Sequence, residues 1–176
     1  MGMDKALLEF CGKPLVKYMV DKVGIFADRL VVSVGRRRLG LSCLEIEDVK
    51  GEGPIAGIYS VLLHFDRVLF VPVDMPLLEP EVFEPLWKSS FQNHIAVCRI
   101  RGRIQPLLGV YTRKAFTFLG EAIDRGDFSL VKLIRRCQPY LKVGFLEAED
   151  FGWDPKWFIN VNTLRELEIA KRYKAC

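Results

Sequence analysis

The stretch from Val68 to Pro76, with the sequence Val-Leu-Phe-Val-Pro-Val-Asp-Met-Pro, is the most informative part of the chain. Its apolar start is typical of a buried strand, and its end has the prolines of a loop. In open α/β sheets, ligands bind beyond the carboxyl ends of the strands, so Asp74 is well placed to hold a metal ion against a phosphate. An aspartate before a proline is more often a turn or capping residue. Asp74 alone does not decide between these two interpretations.

The composition indicates a single folded domain that favours an anionic ligand. The chain has 176 residues, half of them hydrophobic, which is enough for one substantial core and too little for two ordinary domains. The formal net charge is +4, from 26 Lys and Arg against 22 Asp and Glu. That balance suits a nucleotide but lacks the clustered excess expected of a nucleic-acid binder.

The cysteines predict a reduced protein in the cytoplasm. They are odd in number and far apart, with no Cys-x-x-Cys pair and no histidine at metal-site spacing. No apolar run approaches the length of a membrane span, and the start lacks the pattern of a secretory signal. Neither a membrane nor export is therefore expected. The five residues are Cys11, Cys43, Cys98, Cys137 and Cys176.

The first half of the chain alternates between helical and strand patterns. Residues 14–23 have apolar residues at helical spacing, and residues 30–34 form a short apolar strand pattern. Pro54 suits the first turn of a helix over 55–65. A second strand is predicted over 68–73, although Pro72 has no N–H for a ladder and indicates a bulge or the end of the strand.

The second half adds an antiparallel element. Its patterns predict helices over 80–88, 113–125 and 129–136, strands over 95–100, 106–111 and 140–146, and a turn at 101–103. Thr163 with Glu166 three residues later predicts a capping box at the start of a final helix. We therefore expect a three-layer, Rossmann-like α/β fold, with a mostly parallel sheet and an antiparallel element in its second half.

Two glycine-containing segments could contact phosphate or nucleoside. The segment Met1–Leu8 places Lys5 beside flexible backbone, although a lysine near a terminus is usually only solvated. In Gly53-Pro54-Ile55-Ala56-Gly57, two glycines bracket a helix start, where backbone N–H groups attract anions and a small residue lets a base or ribose approach. Tight packing of helix on sheet explains this second segment about as well.

A pair of asparagines forms a third pattern, in Asn160-Val161-Asn162-Thr163. Residues two apart share a side of an extended segment, so the two carboxamides would point the same way. Asparagine before a helix is usually a capping or turn residue. His64 and His94 are predicted to be structural or surface residues.

Taken in order, these patterns resemble the molybdenum cofactor guanylyltransferase (MobA-type) branch of the nucleotidyltransferases. The resemblance runs essentially the length of the chain, and its ordered set is specific although each piece is weak. It implies a Mg²⁺-dependent transfer of GMP from GTP to molybdopterin, with release of pyrophosphate. The motifs that carry it are Asp4-Lys-Ala-Leu-Leu8, Gly12-Lys-Pro-Leu15, Glu47-Asp48, Gly53-Pro-Ile-Ala-Gly57, Val71-Pro-Val-Asp-Met-Pro76, Pro106-Leu-Leu-Gly-Val-Tyr111 and Asn160-Val-Asn-Thr-Leu-Arg-Glu-Leu167.

The resemblance also implies a role for each site residue. Lys5 would contact the triphosphate and Asp74 would hold the magnesium, so these two are the candidate catalytic residues. Asn160 and Asn162 would lie on the pterin side of the cleft. Molybdopterin-loading proteins and acceptor molybdoenzymes are the implied protein partners. The nucleoside site would be lined by Asp48, Gly53, Pro54, Ala56 and Gly57.

The sequence departs from the family at two places. Family members begin with a strand and a Leu-Ala-Gly-Gly loop, and this sequence opens just past the point where that loop would finish. Three explanations are open: the natural chain is longer, its start is mis-assigned, or the protein has lost catalysis. We expect the first, because a parallel sheet without its central strand exposes two unpaired edges. The second departure is Gly35, where the family often has an asparagine that meets the base.

Three other functions are compatible with the same patterns. Within the class, they are a cytidylyltransferase for the same cofactor and a sugar-phosphate nucleotidylyltransferase. The Asp4–Leu8 segment and the two asparagines favour the guanylyl branch over both. From another class, a non-catalytic nucleotide- or cofactor-binding protein would keep the cleft without turnover. A run of three arginines follows a strand end and is most simply solvated, namely Arg36, Arg37 and Arg38.

Overall fold

A computed structural model describes residues 5–176, except for the side chain of Lys5. Short 3₁₀ turns connect some of its regular elements. Six helices and eight strands are formed by these described residues. In chain order they are β1 (Glu9–Phe10), β2 (Lys13–Pro14), α1 (Leu15–Gly24), β3 (Val31–Ser33), β4 (Leu44–Ile46), α2 (Gly53–Leu62), β5 (Arg67–Phe70), α3 (Phe83–Ser89), β6 (Ile95–Ile100), β7 (Arg103–Thr112), α4 (Phe116–Asp124), α5 (Leu130–Cys137), β8 (Val143–Glu147) and α6 (Leu164–Lys174).

The main sheet has the strand order β5-β7-β6-β8. Strand β7 is antiparallel to both of its neighbours, whereas β6 and β8 are parallel. Strands β5, β6 and β8 therefore run in one direction, and β7 is the antiparallel element predicted for the second half. Strands β3 and β4 form a separate parallel pair. The predicted α/β class is confirmed.

The described chain divides into two compact units. One contains residues 31–71 and 83–151, which include β3 to β8 and α2 to α5. The other contains residues up to 30, 72–82 and 152–176, which include α1 and α6. We call them the sheet unit and the terminal unit. The single domain expected from chain length corresponds to two clusters of contacts, each with its own core.

Each unit buries the apolar faces that its sequence provides. In the sheet unit, α2, α4 and α5 place Ile58, Leu119 and Leu133 in one core with residues of β6 and β7. In the terminal unit, Phe10 and Val161 are fully buried with Leu167 of α6. Burial of such side chains contributes roughly 1.5–3 kcal/mol each, so the cores hold the elements in place.

Most predicted elements are present with bounds shifted by a few residues, and some details differ. Strand β5 ends at Phe70 rather than at residue 73, in agreement with the lack of a ladder N–H at Pro72. Strand β4 and the β1–β2 hairpin were not predicted. The expectation of five reduced thiols is wrong for one pair, because a disulfide joins Cys11 to Cys176 across a sequence separation of 165. Among the helices of residues 5–176, none has the length and apolar character that crossing a membrane requires.

Candidate functional site

The parallel pair β3–β4 positions a carboxylate and a hydroxyl at one edge of the sheet unit. Ser33 is the last residue of β3, and Asp48 follows β4 by two residues. Parallel strands place their carboxyl ends at the same edge. The hydroxyl Oγ of Ser33 donates to Oδ1 of Asp48 at 3.4 Å, and the N–H of Asp48 donates to the carbonyl of Gly35 at 2.6 Å. Asp48 is thus fixed through both its main chain and its side chain.

Burial dominates the electrostatics of Asp48. Desolvation raises the pKa of its carboxyl group, and the Ser33 hydrogen bond and the charge of Arg36 offset part of that rise. Charged donors or a ribose hydroxyl would stabilise the ionised form further. The side chain is half-buried, so it is an acceptor with limited competition from water.

The start of α2 lies against the same edge. A Cβ added at Gly57 would lie 2.4 Å from Oγ of Ser33 and 3.7 Å from Oδ1 of Asp48. Gly53 has φ +67°, a conformation that favours glycine, and Pro54 occupies the first turn. The structure therefore brings together the sequence-predicted residues Asp48 and Gly57, with Gly53, Pro54 and buried Ala56 on the same helix start.

The terminal unit brings together the other predicted residues. Asp74 lies in a turn after β5, and its carbonyl oxygen accepts a hydrogen bond from the N–H of Val161 at 2.7 Å. Val161 is fully buried, with Asn160 half-buried and Asn162 exposed on either side of it. The backbone of Asp74 is therefore bonded to the residue between the two asparagines. These residues are far apart in sequence, so only the fold creates this arrangement.

The predicted capping box fixes the backbone after the asparagines. The side chain of Thr163 accepts from the N–H of Glu166 at 3.2 Å. In return, the carboxylate of Glu166 accepts from the N–H groups of Thr163 and Asn162, each at 2.8 Å. Capping of this kind typically stabilises a helix by about 1 kcal/mol. Here it also holds Asn162 at the start of α6.

One part of the predicted site lies outside the described residues. This part comprises residues 1–4 and the side chain of Lys5, the candidate triphosphate contact. Within residues 5–176, no group of three or more His, Cys, Asp and Glu side chains has a geometry suited to a metal ion. Mg²⁺ needs no such group, because one carboxylate with waters and substrate phosphates is a usual set of ligands. Asp74 is half-buried, and its backbone bonds to the residue between Asn160 and Asn162, so its carboxylate fits that chemistry.

Two serines at the edge formed by β3, β4 and α2 were not singled out in the sequence. Ser33 contacts Asp48, and the buried Ser60 accepts through Oγ from the N–H of Val49 at 3.0 Å, which ties α2 to the loop after β4. A hydroxyl at the end of a predicted strand was the only available signal for Ser33. The two histidines contribute nothing to this edge, since His64 is exposed and His94 bonds to the backbone of Lys142.

A carboxylate and a glycine at the edge of a parallel strand pair, beside a helix, are typical of nucleotide-binding α/β proteins. The family model described as the MobA-like NTP transferase domain matches residues 1–140. The chain belongs to this family, so it is a nucleotidyltransferase.

Named relatives and solved structures agree with the family assignment. A probable molybdenum cofactor guanylyltransferase from Pyrococcus horikoshii is 31% identical, over 96% of this chain and 91% of its own. One from Geobacillus is 29% identical, over 95% and 89%. The crystal structure of molybdopterin-guanine dinucleotide biosynthesis protein A from Archaeoglobus fulgidus has a TM-score of 0.83 at 27% identity, covering 99% of this chain and 92% of that chain. A cytidylyltransferase from Thermus thermophilus shares the fold at a TM-score of 0.71 and 15% identity, covering 98% and 94%.

Proposed function

We propose that this protein transfers GMP from GTP to molybdopterin and releases pyrophosphate. Its family of NTP transferases and its relatives named as molybdenum cofactor guanylyltransferases support this activity. The reaction takes place in the cytoplasm, where GTP is available. Its product would pass to acceptor molybdoenzymes, and molybdopterin-loading proteins would supply the substrate.

The observation that carries the proposal is the hydrogen bond between Val161 and Asp74. It joins the loop after β5 to the segment before α6 at 2.7 Å. A carboxylate can bind a divalent cation, while the carboxamides of Asn160 and Asn162 offer both donors and acceptors to a polar heterocycle such as a pterin. This contact supports the proposal that the metal-binding and pterin-binding groups lie near one another.

The residues of the sheet unit would hold the nucleoside. Asp48 would accept from a hydroxyl or an amino group of GTP. Gly57 has no side chain to hold the helix away from Ser33 and Asp48, and the ribose or the base would lie beside it. Gly53, Pro54 and Ala56 belong to the start of α2, where unsatisfied N–H groups and the helix dipole favour an anion. Lys5 would neutralise charge on the triphosphate.

The chemistry requires no side-chain nucleophile. A terminal phosphate oxygen of molybdopterin attacks the α-phosphorus of GTP in line, a new P–O bond forms, and the bond to the β-phosphate oxygen breaks with its electron pair leaving on pyrophosphate. Nucleotidyl transfer depends mainly on positioning and on neutralisation of charge. When bound, Mg²⁺ supplies Lewis-acid neutralisation of the phosphate oxygens. Asp74 is the residue that would hold it.

The test is release of pyrophosphate by the protein incubated with molybdopterin, Mg²⁺ and either GTP or CTP. We expect release with GTP and much less with CTP. An Asp74→Ala variant should lose at least about a hundredfold in turnover, as is usual when a group that stabilises transition-state charge is removed. Asp28→Ala is the matched control, because it removes an exposed carboxylate from the same unit.

The outcomes separate the competing functions. Release with CTP instead of GTP would replace guanylyl transfer by cytidylyl transfer. Tight binding of GTP without any release of pyrophosphate would identify a non-catalytic nucleotide-binding protein. Unchanged turnover in Asp74→Ala, with the fold retained by circular dichroism, would remove Asp74 from the mechanism.

A further inference from the structure

A cavity of about 630 Å³ lies in the sheet unit, at the amino ends of the three strands that run in one direction. Arg67 begins β5, while His94 and Lys142 directly precede β6 and β8. The antiparallel strand β7 ends at this edge with Thr112, and Lys114 follows it. Four chain segments therefore converge on one recess, which we call the basic cavity.

The basic cavity concentrates positive charge. Arg67, Lys114 and Lys142 line it, and its lining includes no Asp or Glu side chain. Within residues 5–176, no carboxylate forms an ion pair with any of these three, whereas other cations such as Lys50 and Arg99 do have partners. Three unneutralised cations around one recess repel one another, and an anion would relieve that repulsion.

Arg67 is held rigidly at the wall of the cavity. Its guanidinium lies 4.6 Å from the ring centroid of Phe91 and 5.9 Å from that of Trp87, at cation–π distances. Its Nε atom is buried and has no hydrogen-bond partner among the described residues. Arg67 lines the cavity, so its positive charge favours an anion that enters.

His94 is oriented as a second fixed donor. Its Nδ1 accepts a hydrogen bond from the N–H of Lys142 at 3.2 Å. With Nδ1 as an acceptor, Nε2 is the ring nitrogen that can donate to a ligand. The carbonyl of His94 accepts from both the N–H and the hydroxyl of Thr112, at 3.0 and 2.9 Å, which locks the residue in place.

The cavity also has an apolar wall. Phe91 lines it and is 63% exposed. One face of its ring meets Arg67, and the exposed remainder is available to an organic group. A ligand that combines a phosphoryl group with an apolar body would contact both parts.

We propose that the basic cavity binds a phosphate ester of an organic molecule. Its phosphoryl group contacts Arg67, Lys114, Lys142 and the Nε2–H of His94, and its organic group packs on Phe91. This site is separate from the nucleoside residues. Gly53 begins α2, and Arg67 comes after the end of this ten-residue helix, which is about 15 Å long.

The test is a ¹H–¹⁵N NMR titration of the whole chain with inorganic phosphate and, in parallel, with phenyl phosphate. We expect saturable shifts of the backbone amides of residues 91–94, with phenyl phosphate binding several-fold more tightly. The paired substitution Lys114→Ala/Lys142→Ala should weaken both ligands about tenfold, because both side chains are exposed and their removal leaves the fold intact.

The matched control is Lys132→Ala/Arg135→Ala, which removes two exposed positive charges from α5 and should leave binding unchanged. Equal weakening in the control pair, shifts that do not saturate, or shifts confined to other residues would overturn the site. Binding of phenyl phosphate no tighter than inorganic phosphate would overturn the organic part of the ligand. Guanylyl transfer is tested by pyrophosphate release, which is a different measurement. The proposed ligand of the basic cavity and the proposed function can therefore fail independently.

Discussion

Replacement of Gly57 by alanine tests whether its missing side chain makes room for the nucleoside. The added Cβ would lie 2.4 Å from Oγ and 3.3 Å from Cβ of Ser33. Ser33 is exposed and its hydroxyl can rotate away, but the hydrogen bond to Asp48 is then lost. We therefore expect Gly57→Ala to have a small effect on stability and a large effect on GTP binding.

The expected magnitudes follow from these contacts. Alanine is favoured over glycine in a helix by about 1 kcal/mol. Loss of the exposed hydrogen bond costs about 0.5–1 kcal/mol, and the remaining crowding costs about 1 kcal/mol. The free energy of unfolding should therefore change by no more than about 1 kcal/mol. A methyl group that overlaps bound ligand typically costs about 1–3 kcal/mol, which corresponds to roughly tenfold to hundredfold weaker GTP binding.

The assay combines chemical denaturation with calorimetric titration of GTP in the presence of Mg²⁺. Ser33→Ala alone gives the cost of the lost hydroxyl, and the double variant Ser33→Ala/Gly57→Ala removes the clash while keeping the new methyl group. If the methyl hinders the nucleoside, the double variant binds GTP as weakly as Gly57→Ala. Binding restored to the level of Ser33→Ala would refute the reasoning, because Gly57 would then matter only for packing.

Three further predictions concern stability and its dependence on pH. Because burial raises the pKa of Asp48, its ionised form destabilises the native state above the ordinary pKa of about 3.9. The gain in unfolding free energy from Asp48→Asn, measured by urea denaturation, should therefore shrink as the pH falls into that range, and a gain independent of pH would contradict this. A Cβ at Gly109 would lie 2.5 Å from the carbonyl oxygen of Ala96, so Gly109→Ala should destabilise by at least about 2 kcal/mol. Gly24→Ala is the control and should be tolerated, because its Cβ would meet Leu30 at an ordinary 3.5 Å. If thermal denaturation shows equal losses of stability in both variants, the clash with Ala96 is not the cause. Cys176→Ser should lower stability by about 2–4 kcal/mol under oxidising conditions. A reductant should then destabilise the wild type but not the Cys176→Ser variant. Detection of unpaired Cys11 in the wild type by mass spectrometry would contradict this prediction.

Local sequence patterns predicted most of the regular elements. The strand predicted over 95–100 has those bounds in β6, since a mostly apolar run that ends at a turn signal has few alternative structures. The capping box at Thr163 is present because it depends only on residues three apart. Pro72 correctly indicated the end of β5, because its lack of an N–H is a property of the residue itself.

Short elements gave too little signal to be predicted. Strand β4 has only three residues, Leu44–Ile46, and its parallel pairing with β3 provides its stability. The β1–β2 hairpin has two residues in each strand. Elements of this length are fixed by tertiary partners, so propensity and periodicity do not identify them.

The order of motifs along the chain determined the class of protein and named the candidate site residues. The tertiary structure alone decided which of them meet. Asp74 bonds to Val161 across 87 positions, Gly57 packs on Ser33 and Asp48, and Cys11 reaches Cys176. Local patterns report interactions between near neighbours, whereas contacts at long sequence separation form only when burial of the two cores brings distant segments together.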